Sequence, residues 1–162
     1  MSEKQGPPAW VVDRLAQLTG IRQLDLDDTL HRELALDVYE LGSGATDGAV
    51  LQRLRWRFAW HLKQAGETLA KSRLAYEAHV DRRTVELRAG EKPPSRAEAE
   101  QIARAEDPAY TAKLAYLLAE QRERAMRKFL DAIESAIDLH RTERADARAA
   151  DRAHAGGYGG GA

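Results

Sequence analysis

A chain of 162 residues has room for one domain, or one domain with an appendage. Charged residues make up 31% and aromatics only 6%, with formal net charge −1, a composition that suits long helices better than a large globular core. The absence of cysteine excludes disulfides, thiolate metal sites and cysteine nucleophiles. The first ten residues lack an apolar signal region and no stretch approaches a membrane span, so a soluble, cytoplasmic protein without a membrane partner is expected.

The charge is unevenly placed. Residues 1–49 carry four Lys/Arg against nine Asp/Glu, residues 50–92 carry ten against five, and the remainder is near neutral with 11 against 12. An acidic head therefore precedes a basic segment. Such a head reads as wet carboxylates on short helices, as a docking module, or as an element that competes with polyanion for the basic helix.

In chain order, "PAWVVDRLAQL" predicts a short helix from Pro8 that stops at Thr19-Gly20, with Trp10, Val11, Leu15 and Leu18 on one face and Gly20 at C′. "DDTLHRELALDVYEL" predicts a second, capped by Asp and closed at Gly42, with Leu30, Leu34 and Val38 or Leu41 as its stripe. "GSGATDG" is expected to be a flexible joint. From Ala49 to about Arg88, apolar or small residues recur at Leu51, Leu54, Phe58, Leu62, Ala65, Leu69, Tyr76 and Val80, the steps of one helix face. Pro93 and Pro94 end that helix. Ser95 and Glu98 have capping-box spacing and start a short helix to about Ala105. Asp107 and Pro108 open a second long helix to about Ala153, with Leu114, Leu118, Ala125, Phe129, Ile133, Ala136 and His140 at helical spacing. The Gly-rich tail is expected to be disordered.

The predicted fold is all-α: a long antiparallel helical hairpin over 49–154, an acidic helical appendage and joint over 1–48, and a tail over 155–162. A lone hairpin buries one seam only, so a homo-oligomer or a larger partner is expected to cover the rest.

No enzyme signature is present. The five histidines form no His-x-x-x-His pair, "DLDD" lacks the remaining features of a calcium loop, and no Gly-rich phosphate loop follows a strand. No catalytic residue, metal site or cofactor is assigned.

The chemistry-bearing stretch is "RLRWRFAWHLK", residues 53–63. As plain packing, Leu54, Phe58 and Leu62 face the partner helix, the charges are solvated, and Trp56 and Trp60 pack together or on the appendage. As a binding surface, Arg53, Arg57 and Lys71 or Arg73 track phosphates while an exposed Trp56 or Trp60 stacks on unpaired bases, which suits single-stranded nucleic acid. A second basic feature is the stripe Arg141, Arg144, Arg148 and Arg152, at steps of three, four and four, with Glu143, Asp146 and Asp151 off it. A helix dipole favours cations only over the last turn, so it explains Arg152 better than Arg141 or Arg144.

From "LAKSRLAYEAHVDRRTVELRAGE" through "SRAEAEQIARAEDPAY" to "LLAEQRERAMRKFLDAIESAIDLHRTERADAR", the chain resembles small helical proteins encoded beside phage replication and recombination genes, the UvsY-type recombination mediators. The resemblance covers roughly residues 55–153 and rests on a long helix carrying Lys71, Arg73 and Tyr76, a loop, and a basic return helix. It implies a ring-like homo-oligomer that binds single-stranded DNA and helps a recombinase displace the single-strand-binding protein, in a bacterial or phage-infected cell. The rival expectation is a structural or adaptor protein in phage or bacterial assembly that binds only protein.

Overall fold

The computed structural model describes residues 6–157, with side chains through His154. Five helices follow one another: α1 (Ala9–Thr19), α2 (Thr29–Leu41), α3 (Asp47–Arg88), α4 (Arg96–Ala105) and α5 (Asp107–Gly157). There is no strand among the described residues, so the fold is all-α. The long helices α3 and α5 pack on each other and, with α4 between them in sequence, make the helical hairpin. Chain contacts divide the protein into two compact units: residues 6–59 with 128–157 form unit 1, and residues 60–127 form unit 2.

The caps explain the boundaries. Asp28 accepts from the His31 N–H at 3.1 Å and opens α2, while Ser95 accepts from the Glu98 N–H at 3.2 Å and opens α4. Gly20 stops α1 at φ 76°, a left-handed conformation that costs a side chain-bearing residue energy and glycine nothing, and its N–H reaches the Ala16 carbonyl. In the 42–48 segment, expected as a flexible joint, contacts gather at Ala45, Thr46 and Asp47, where α3 begins. Thr46 Oγ1 accepts from the Ala49 N–H, and Arg14 donates to the Ala45 carbonyl at 2.9 Å while pairing with Asp47 at 2.5 Å. At the other end α5 continues to Gly157, past the expected stop, because nothing breaks the ladder at 154–157; the rest of the expected tail lies outside the described residues.

Unit 1 holds a conventional core. Val11 and Leu15 of α1, Leu30, Leu34 and Val38 of α2, Val50, Leu51, Leu54 and Phe58 of α3, and Ile133 and Ile137 of α5 are all buried. Burying each such side chain contributes about 1.5–3 kcal/mol. Phe58 stacks on Phe129 with ring centroids 5.6 Å apart. Arg55 reaches Glu134 at 2.9 Å, so rising numbers on α3 meet falling numbers on α5, the antiparallel sense. Val38, rather than Leu41, completes the α2 stripe; Leu41 is exposed. Trp10 is half-buried and stacks on Tyr39.

Unit 2 is packed differently. Its enclosed positions are Ala65, Val80 and Thr84 on α3, Ala99 and Ala103 on α4, and Ala109, Ala119 and Met126 on α5. Tyr76 and Leu87 pack against the cluster of Val80, Ala103 and Ala109. Leu114 and Leu118, expected in the seam, are exposed. The buried and half-buried line on α5 instead runs through Ala109, Ala112, Tyr116, Ala119, Glu123 and Met126, then Leu130, Ile133, Ile137 and His140. Those steps alternate three and four, the 3.5-residue repeat that keeps one seam facing its partner over a long helix. Leu114 and Leu118 fall off that repeat.

Gly66 sits inside α3 with open space where a side chain would project. Glycine there costs backbone entropy without a compensating contact. Gly66→Ala is expected to raise stability by about 0.5–1 kcal/mol, read as a higher midpoint in urea unfolding; a lower midpoint would refute the open space.

Candidate nucleic-acid interface

The acidic head meets the basic helix directly. α2 turns its apolar stripe inward, and the same turn carries Asp37 into the interface, where it is 1% exposed. Arg57 donates to Asp37 through Nε at 2.7 Å and Nη2 at 3.0 Å, and Arg53 through Nε at 2.9 Å. The flanking carboxylates extend the clamp: Glu33 accepts from Arg57 at 3.2 Å and Glu40 from Arg53 at 2.9 Å. Glu33, Asp37 and Glu40 are spaced four and three on α2, and the two arginines four apart on α3, so one face of each helix supplies the whole set.

Burial alone would raise the Asp37 pKa, but hydrogen bonds from Arg57 and Arg53, reinforced by their charges, outweigh it and hold the carboxyl below its ordinary value. The same hydrogen bonds hold both guanidiniums more firmly protonated. A charged acceptor with three charge-assisted donors is a satisfied buried ion rather than a catalytic acid.

Arg53 and Arg57, expected to track phosphates, thus spend their donors on α2. Arg73 is paired within its own helix with Glu77 at 2.8 Å. Tyr76, offered as part of the binding patch, is half-buried against the Val80 cluster and packs the seam of unit 2. Lys71 is exposed and has no ionic partner among the described residues. The packing role expected of the tryptophans is not what the structure shows: Trp56 is 69% exposed and Trp60 53%, with Lys63 Nζ over the Trp60 ring at 5.6 Å.

Unit 1 also presents the arginine stripe. From Arg141 to His154 every side chain of α5 is exposed. Arg141 pairs loosely with Asp138 at 3.3 Å, and Arg152 donates to the Arg148 carbonyl. The guanidiniums of Arg144 and Arg148 have no ionic partner among the described residues.

Comparison with protein-family models, with curated proteins and with solved structures yields no match. The reading of this surface therefore rests on its own geometry. The sequence analysis did not single out Asp37, Glu33 and Glu40 as partners of Arg53 and Arg57. The signal that could have found them is the matching four-residue spacing on the acidic and basic helices. No helix among the described residues is long and apolar enough to cross a membrane.

Proposed function

We propose that this chain is a non-catalytic binder of single-stranded nucleic acid, using the arginine stripe of α5 and the exposed indole of Trp56. The observation that carries the reading is the pair Arg144 and Arg148. They are solvent-facing and one turn apart, and neither guanidinium has an ionic partner among the described residues. A helix surface polar on all sides gains nothing from packing, whereas phosphates would release their counterions to these guanidiniums. Trp56, the most exposed tryptophan, adds a face on which a base of any sequence can stack. Participation in recombination, with a recombinase and a single-strand-binding protein as partners, belongs to the same proposal and is carried only by the family resemblance.

Titration of oligo-dT against tryptophan emission tests the proposal. Salt-sensitive quenching is expected. Arg144→Glu with Arg148→Glu should flatten the dependence of log affinity on log salt by about 0.7 per lost phosphate contact. Trp56→Ala should remove the quenching and weaken binding by roughly 1–3 kcal/mol. Absence of binding at low salt would sink the reading and leave a protein-only adaptor.

A further inference from the structure

Where α3 ends and α4 begins, unit 2 opens into a cleft of about 640 Å³, the size of a small-molecule site. Thr84, Val85, Arg88 and Ala89 line it from the end of α3, and Arg96 and Glu100 from α4, with Asp81 further back along α3. The backbone around it is set: Pro93 and Pro94 fix φ between the two helices. Ser95 Oγ accepts from the Glu98 N–H and so fixes where α4, and with it Arg96, starts.

The charges of the cleft do not cancel. Asp81 also lines a second cavity with Glu77 and Arg104, so Arg104 accompanies Asp81 while Arg96 accompanies Arg88. Glu77 is taken by Arg73 of its own helix. Glu100 accepts from Arg96 at 3.2 Å and from Arg104 at 3.3 Å. Two carboxylates, Asp81 and Glu100, thus face three guanidiniums, and the surplus charge falls on Arg88. That side chain is exposed and has no ionic partner among the described residues. Arg96 is easily recruited beside it. Its side chain is 77% exposed, an exposed pair within one helix is weak, and Glu100 keeps Arg104 when Arg96 turns away.

We propose that this cleft binds a small phosphomonoester with an apolar body, the phosphate between Arg88 and Arg96 and the body on Val85 and Ala89. A phosphomonoester is close to a dianion at neutral pH and offers three acceptor oxygens, enough for two guanidinium forks. Phosphate by itself would leave most of the cleft open. Val85 is 69% exposed on its floor, and an organic body laid there removes apolar surface from water. A nucleic-acid backbone consists of diesters, which carry one charge each and a second ester arm, so this site stands apart from the nucleic-acid reading.

Calorimetric titration of the full chain with phenyl phosphate, at a pH well above the second phosphate pKa of about 6, is the test. One saturable site per chain is expected. Methyl phenyl phosphate, the diester, and inorganic phosphate, which lacks the ring, should both bind more weakly. Arg88→Gln should weaken phenyl phosphate binding about tenfold through the loss of a charge-assisted hydrogen bond. Glu100→Gln should tighten it, because Arg96 loses the carboxylate that competes with the ligand. Opposite shifts in two exposed or half-exposed positions are not what damage to the fold produces. No saturable binding of phenyl phosphate, equal affinity for the diester or for inorganic phosphate, unchanged affinity in Arg88→Gln, or weaker binding in Glu100→Gln would each overturn the proposal.

Discussion

Phe58→Ala is expected to lower the stability of unit 1 by about 3–5 kcal/mol, the range for an aromatic removed from a packed core. Phe58 is fully buried and is the largest of the fully enclosed side chains. It loses its transfer free energy, its stack on Phe129, and the contacts of the walls left around the cavity. Phe129 is partly exposed, so Phe129→Ala opens the site to water rather than leaving a void and should cost less. At roughly 2–4 °C per kcal/mol for a chain of this size, the Phe58 variant should melt about 6–20 °C lower. Circular dichroism against urea and temperature reads both numbers; a loss below about 1 kcal/mol would mean the ring is not the centre of the core.

Removing the carboxylate of Asp37 is the second large effect. Deleting one partner of a wholly buried ion pair costs about 3–5 kcal/mol, because the other charge is stranded. Here the guanidiniums are not stranded: the Arg53 and Arg57 side chains are 48% and 28% exposed and keep Glu40 and Glu33. The loss should therefore fall in the range for charged hydrogen bonds, about 1.5–3 kcal/mol for Asp37→Ala.

The pH dependence carries a sign that distinguishes this carboxylate. Its folded-state pKa is depressed, so its contribution is fully present above the unfolded value of about 3.9 and drains away as pH falls through the lower folded value. Between neutral pH and about pH 4 that contribution is flat. Asp37→Asn cannot titrate, so its stability should fall less steeply than that of the parent protein in the acid window. Identical acid slopes in the two proteins would remove the ion pair from the account. Under the nucleic-acid reading, Asp37→Ala also frees the Nε donors of Arg53 and Arg57, which keep only Glu40 and Glu33, and should tighten binding of oligo-dT at low salt. Weaker binding with the fold intact would mean that α2 does not mask those arginines.

Helix existence was legible because it is a local property. Glycine and proline punctuate the chain where the helices stop, and apolar residues step by three and four between those points, so all five elements were readable within a few residues. The α3 face was also readable: Leu51, Leu54, Phe58, Ala65 and Val80 are all buried. The first half of α5 was not, because two apolar lines run along it. One contains leucines and the other alanines, and hydrophobicity alone selects the leucines.

The state of each charge was less legible still. Arg57 and Arg148 are the same residue type on long basic helices, yet one is held by a buried aspartate and the other is exposed with no ionic partner among the described residues. Sequence by itself determined an all-α chain with an acidic head and two long helices. Only the tertiary structure decided that Asp37 lies against Arg53 and Arg57, that Trp56 and Trp60 face water, and that alanines rather than leucines line the seam of unit 2. Helix periodicity is set by the turn of a single helix, whereas the facing direction of a stripe and the partner of a charge depend on what another helix brings to it.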